Sequence, residues 1–282
     1  MKDVIVVPAY ERPEYTRVTL EYIHRARGIE DKDIWLFLDN HLGDDFGKIY
    51  DDQRSNFGLA SYGFCQLPED TYGNSRNLIL ALKAAYESGA ERIFLIEDDI
   101  IVAPDIFEWH EAILNEVNPF VSCATSLNRS AHFQINGPNA MDESIKDPNA
   151  YKKVFGAYSS HAVAFTRENL GVLLIRIDSA LEWGDWRPGK EQDILIQNIM
   201  SSIYFPNAGS AWPYVPRAFN VGIYSYHINT GMKFNGTLEE KCAALRRTIT
   251  DPDKLRIMSA NNRAITAVPA EFVERTGPLV KR

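Results

Sequence analysis

Glu91-Arg-Ile-Phe-Leu-Ile-Glu-Asp-Asp-Ile-Ile-Val-Ala-Pro-Asp105 runs from a buried-strand pattern straight into three consecutive acids, Glu97, Asp98 and Asp99, and then reaches a helix start at Asp105. Crowded like charges cost energy unless a cation or solvent neutralises them. Hard divalent ions such as Mg²⁺ and Mn²⁺ bind through one or two carboxylates plus substrate phosphates. An acidic corner at the C-terminal edge of an α/β sheet therefore points to a metal–phosphate site. A solvated strand-to-loop turn is the competing reading of the same three residues.

Upstream of this stretch, strand and helix alternate. Val4–Val7 is a short β-branched run, the mark of a strand covered on both faces. Pro13 fits the first turn of a helix on which Tyr15, Val18, Thr19 and Tyr22 share a face. Ile34–Leu38 reads as a second strand ending at Asp39-Asn40, and the Asp-, Gly- and Ser-rich residues 41–70 hold a loop and a short strand. A helix opens at Asn74 or Ser75, carries Leu78, Ala81, Leu82 and Ala85 along one face, and stops at Gly89. Ile93–Ile96 is the strand that feeds the acids. Asp105 with Glu108 three residues later predicts a capping box, ahead of an apolar stripe of Ile106, Trp109, Ile113 and Val117. This alternation over short connections predicts a mostly parallel sheet flanked by helices.

Downstream the pattern loosens. Residues 126–153 are polar, carry Pro138 and Pro148, and read as a long loop of the kind that forms lids or binding surfaces. Ala162–Phe165 returns as a strand, and Glu191–Ile203 as a helix with Ile196, Ile199, Met200 and Ile203. Leu238, Cys242, Leu245 and Ile249 mark one amphipathic helix near the end. No repeat and no linker divides the chain, so a single domain is expected.

With 282 residues, 45% of them hydrophobic, the chain has the apolar mass of a packed globular protein. A net charge of -8 argues against a broad nucleic-acid surface while permitting one local basic groove. Cys65, Cys123 and Cys242 are odd in number, far apart and without metal-ligand spacing, which predicts buried free thiols in a reducing compartment. No basic leader precedes the first strand, and no apolar run approaches the ~20 residues of a membrane span. A soluble, cytoplasmic protein is the expectation. Asn128-Arg-Ser130 and Asn235-Gly-Thr237 are then chance matches to a glycosylation pattern.

Several segments, in order, resemble the GT-A nucleotide-sugar glycosyltransferases. Val6-Val-Pro-Ala-Tyr-Glu-Arg12 ends the first strand in the loop that meets the nucleotide in that group. Gly73-Asn-Ser-Arg-Asn77 opens the helix before the acidic strand, and Phe94-Leu-Ile-Glu-Asp-Asp99 holds the acidic position in a Glu-Asp-Asp form. That form, with Ala103-Pro-Asp-Ile-Phe107 and Ala9-Tyr-Glu-Arg12, looks most like the N-acetylglucosaminyltransferase I family. Glu182-Trp-Gly-Asp-Trp186 and Val215-Pro-Arg-Ala-Phe-Asn-Val-Gly222 echo its later motifs. The likeness is dense over the first hundred residues and patchy from there to residue 227.

The resemblance implies a GT-A (Rossmann-like) domain over residues 1–236, with a nucleotide-binding half 1–125, an acceptor half 126–236 and a helical extension 237–282. It implies Mn²⁺ or Mg²⁺ at Asp99, aided by Asp98, with His227 as a second ligand and a UDP-sugar as co-substrate. Because successive strand residues face opposite ways, Glu97 and Asp98 are not expected to meet the same partner, and one of them is assigned to ribose or sugar hydroxyls. Arg12 and Arg76 suit diphosphate oxygens, which a planar guanidinium meets two at a time, or else pair with surface carboxylates. Asp39 is the expected contact to a uracil-type base, with a turn-forming role as the alternative. Pro8 and Tyr10 line the base pocket or simply pack the loop.

An inverting transfer also needs a carboxylate base for the acceptor hydroxyl. Glu191, Asp193 and Asp185 are the candidates, although Gly184-Asp185 departs from the family's acidic pair before Trp. Trp183, Trp186, Trp212, Tyr214 and Tyr158 offer aromatic faces for sugars or bases, with core packing as the more frequent role of any single one. The resulting expectation is a metal-dependent transferase, in bacterial or virus-infected host cytosol, acting on a hydroxyl acceptor. That acceptor is a glycan precursor or a hydroxymethylated base in viral DNA. Arg129, Lys146, Lys152, Lys153, Arg187 and Lys190 would form the groove for DNA. A nucleotidyltransferase, or a non-catalytic nucleotide-sugar-binding module, are the competing classes.

Overall fold

A computed structural model describes residues 3–10, 12–38, 45, 47–49, 51, 62–66, 74–115, 123–125, 151–155, 158–182, 192–201, 209–213, 217–221 and 234–249. In chain order the elements are β1 (Asp3–Ala9), α1 (Pro13–Arg25), β2 (Lys32–Leu38), β3 (Tyr62–Gln66), α2 (Asn74–Glu87), β4 (Arg92–Leu95), β5 (Ile100–Val102) and α3 (Ile106–Asn115). There follow β6 (Cys123–Thr125), β7 (Tyr151–Phe155), β8 (Val163–Thr166), α4 (Arg167–Glu182), α5 (Gln192–Ser201), β9 (Gly209–Pro213), β10 (Ala218–Asn220) and α6 (Leu238–Ile249).

Eight strands form one sheet in the order β3-β2-β1-β4-β8-β6-β9-β7, and β10 pairs with β5 in a separate two-stranded ribbon. The half built from β3, β2, β1 and β4 is parallel, with Val4 beside Ile93 and Ile5 beside Ile34. β8 then runs antiparallel to β4, pairing Leu95 with Val163. The start of β8 therefore meets the end of β4. The strand order turns back at β1, and the crevice beyond the carboxyl ends of β1 and β4 is the place where open α/β sheets bind ligands.

Alternation along the strands divides the core in two. Ile5, Val7, Leu36, Phe94 and Ile96 face α1, α3 and α6, while Val4, Val6, Phe37, Ile93 and Leu95 face α2, α4 and α5. Each fully buried side chain of this size contributes about 1.5–3 kcal/mol of transfer free energy. The stripes read from the sequence are the ones that are buried: Leu78, Ala81, Leu82 and Ala85 on α2, and Leu238, Cys242, Leu245 and Ile249 on α6. Cys123 and Cys242 are free and buried, as expected. No helix among the described residues is long and apolar enough to cross a membrane.

Three expectations need correction. The capping box at Asp105 and Glu108 gives way to ion pairs: Glu108 turns both oxygens to Arg27, and Asp105 Oδ2 accepts from Arg217 Nε at 3.2 Å. A capping box does form at α6, where Thr237 Oγ1 accepts from Glu240 N and Glu240 Oε2 accepts from Thr237 N at 2.8 Å. The loop expected up to residue 153 already contains the start of β7, paired antiparallel with β9. Finally, Tyr158 and Trp212 are 1% and 5% exposed, so of the two readings of these rings core packing is the one that holds, and neither is offered to a sugar or a base.

Candidate active site

β4 ends at Leu95, short of the acids. Ile96 N still donates to Val6 O, continuing the ladder for one bond, and Ile100 N donates to Glu97 O, which closes residues 97–100 into a turn. The alternation rule stops applying where the strand stops. Asp98 and Asp99 consequently converge on one partner, as a shared site for the two requires. Arg12 Nη2 donates to Asp98 Oδ1 at 2.5 Å and Arg12 Nη1 to Asp99 Oδ2 at 3.1 Å.

Each member of this trio is held from behind. The carbonyl of Arg12 accepts from Tyr15 N and Thr16 N, so the first turn of α1 fixes its backbone, and its guanidinium lies 5.4 Å from the centre of the Tyr15 ring. Pro13 at the helix start supplies the preset φ that the first turn requires. Thr19 Oγ1, one turn further along α1, donates to the Asp98 carbonyl at 2.8 Å, and Tyr10 N donates to Asp98 Oδ2 at 3.3 Å. From the other side, Val221 N donates to the Asp99 carbonyl at 2.8 Å, next to the pairing of Asn220 with Ile100.

Burial pushes the Asp98 carboxyl up to about 7, with Arg12 pulling the other way and Asp99 adding to the rise. Burial would lower the Arg12 guanidinium, but the two aspartates outweigh it and its pKa is raised. The corner is thus a desolvated one in which two acids share one cation.

Two residues absent from the sequence-based set stand beside it. Asn220 Nδ2 lies 3.5 Å from Asp99 Oδ1 and 3.2 Å from His161 Nε2. A carboxylate only accepts, so the amide presents its NH₂ group to Asp99, and its second hydrogen falls to His161 Nε2. This assigns the ring proton to Nδ1. His161 arrives here because β8 is antiparallel to β4, and the next residue, Ala162, takes a positive φ of 49°. Such a backbone costs of order 1 kcal/mol in a non-glycine residue and collects at functional sites. Asn220 lay within the quoted segment of residues 215–222, but nothing in that segment's spacing marked its side chain. His161 had no signal beyond being a histidine before a strand.

Of the other expected site residues, Pro8 is buried within β1 opposite Phe37, and Tyr10 is 40% exposed at the crevice. Arg76 sits half-buried in the first turn of α2. Its neighbour Asn77 is structural: Nδ2 donates to Phe37 O at 3.1 Å and ties α2 to β2. Glu97 is half-buried at the head of the acidic turn. Asp193 falls in the first turn of α5, where a helix-opening acid was expected, with its side chain outside the description. Asp39, Asp185, Glu191 and His227 lie outside the described residues, as do Trp183, Trp186, Tyr214, Arg129, Lys146, Arg187 and Lys190.

The acidic corner fits a hard divalent ion in kind: two buried carboxylates supply oxygen donors and carry one more formal charge than Arg12 returns. Among the described residues no group of three or more His, Cys, Asp or Glu is placed to hold a metal.

No family model matches the sequence, and no curated protein matches it. Solved structures do. The fragment 1-349 of S. aureus TarS in complex with UDP-GlcNAc aligns with a TM-score of 0.54 at 13% identity, over 93% of this chain and 72% of that one. The same fragment in complex with UDP gives 0.51 at 14% identity, over 77% and 60%. Longer TarS gives 0.50 at 12% identity, over 96% of this chain and 45% of that one. At such identities the likeness is one of fold, and none of these structures singles out the N-acetylglucosaminyltransferase I family. The architecture of this chain, a mostly parallel sheet flanked by helices in a single domain, is the GT-A fold of its structural neighbours.

Proposed function

We propose that the chain is a glycosyltransferase that moves a sugar from a nucleotide-sugar, a UDP-sugar first, to a hydroxyl acceptor with inversion. The carrying observation is the placement of Asp98 and Asp99 in a buried turn at the crevice between the carboxyl ends of β1 and β4. The GT-A fold, seen in TarS with UDP-GlcNAc, supports the same reading. Asp99 and Asp98 would hold Mn²⁺ or Mg²⁺, with His227 as a further ligand. When bound, the ion supplies Lewis-acid neutralisation of charge on the departing diphosphate.

The chain's own groups divide the remaining work. Arg12 and Arg76 contact the diphosphate, Asp39 hydrogen-bonds the base, and Pro8 and Tyr10 wall the nucleoside. Glu97 takes a ribose or sugar hydroxyl. Glu191, Asp193 or Asp185 removes the acceptor proton as that oxygen attacks. Residues 1–125 form the nucleotide half and 126–236 the acceptor half.

The test is a panel of UDP-, GDP-, CMP- and dTDP-sugars, with and without Mn²⁺, read by thermal shift and by release of the nucleoside diphosphate. Stabilisation by one nucleotide family, dependent on the metal and accompanied by slow diphosphate release, is the expected result. No response to any sugar nucleotide would overturn the function and leave the acids as a buried structural turn.

A further inference from the structure

The two carboxylates that this function gives to a metal are both engaged by Arg12. One Nη nitrogen sits on each aspartate, the ring of Tyr15 lies under the guanidinium, and the first turn of α1 fixes the backbone. A divalent ion bound to the same oxygens would stand against the guanidinium, and two cations crowded into a buried corner repel strongly. One of them has to leave these oxygens. A diphosphate gives the guanidinium an equivalent place to go, since it offers paired oxygens to the same planar fork.

We propose that Arg12 is the resident cation of the site: it closes Asp98 and Asp99 in the donor-free protein, and metal and nucleoside diphosphate enter by partner exchange. The carboxylates pass from Arg12 to the ion, and the guanidinium passes from the carboxylates to the diphosphate. This rests on the reading of the corner as a metal–nucleotide site. Metal alone must evict Arg12 without offering it a new partner. Diphosphate alone must draw Arg12 away and leave two buried acids without a counter-charge. Each ligand therefore binds poorly without the other, and the factor by which one tightens the other is the same in both directions.

One substitution should move the two ligands in opposite directions. Wild type and Arg12→Gln are titrated with MnCl₂ alone, by calorimetry and by Mn²⁺ electron paramagnetic resonance, and then with UDP in saturating Mn²⁺. Removing the competitor should tighten Mn²⁺ alone about tenfold and weaken UDP about tenfold, so that the coupling between them shrinks. A folded Arg12→Gln that binds Mn²⁺ no tighter than wild type overturns the proposal. Should circular dichroism show Arg12→Gln unfolded, Arg12→Lys carries the test, because a single ammonium does not span both carboxylates as the fork does. Its Mn²⁺ affinity should rise by a smaller factor, and an unchanged affinity is again fatal. Wild type that binds neither Mn²⁺ nor UDP removes the metal–nucleotide site itself, an outcome separate from failure of the exchange alone.

Discussion

At the scale of single residues, burial decides which groups are charged. His110 is fully buried on α3 between Trp109 and Phe94, with ring centroids at 5.4 and 5.8 Å. Burial, and then the nearby Arg217 charge, push it down to about 3, while its hydrogen bond to the Ala162 backbone opposes the shift. A histidine with a lowered pKa in the folded state stays neutral there while the unfolded chain takes up a proton below about 6.5. Its contribution to stability is therefore complete above that pH and is lost as the pH falls toward 3. Between pH 6 and 4 the wild type should lose up to about 1.4 kcal/mol per pH unit more than His110→Phe, measured by urea unfolding. Equal slopes in the two proteins would contradict the assignment. Because this ring is tied to Ala162, the residue after His161, the same measurement reports on a support of the acidic corner.

At the scale of elements, local signals succeeded where one segment alone determined the outcome. α6 is an instance: its four apolar residues lie on one face against the α1 side of the core, and Thr237 with Glu240 closes its first turn. Thr237→Ala should cost about 1 kcal/mol in urea unfolding, and no measurable cost would mean the cap is idle. β1, α1, β2, α2 and β4 were legible for the same reason, their apolar spacing being complete within each segment. β5, β6 and β10 were not. Each has three residues, and each is defined by a partner far along the chain, as Asn220 is by Ile100. α4 did carry a signal, Leu170, Leu173, Leu174 and Ile177 at helical spacing, and all four are buried. The capping box at Asp105 was outbid by two arginines from segments distant in sequence, Arg27 after α1 and Arg217 before β10. The sharing of one partner by Asp98 and Asp99 was expected from the sequence, but the end of β4 at Leu95, which puts both acids in a turn, was not.

At the scale of the molecule, the site exists because of topology. β1 delivers Tyr10 and Arg12, β4 delivers Asp98 and Asp99, and the antiparallel β8 returns His161 to the same edge. α1 crosses beneath, supplying Thr19 to the turn, and the β5–β10 ribbon closes the far side through Asn220 and Val221. Five segments, spread from Tyr10 to Val221, thus meet at one crevice, which explains why the sequence reading named the acids and Arg12 but not His161 or Asn220. The central claim is that this crevice binds a nucleoside diphosphate through a metal held by the acidic turn. Calorimetric titration of UDP into wild type and Asp99→Ala, with and without Mn²⁺, tests it most directly. Wild type should bind UDP at least about tenfold more tightly with Mn²⁺ than without, and folded Asp99→Ala should lose that difference. Equal metal-dependent affinity in the two proteins would contradict the account.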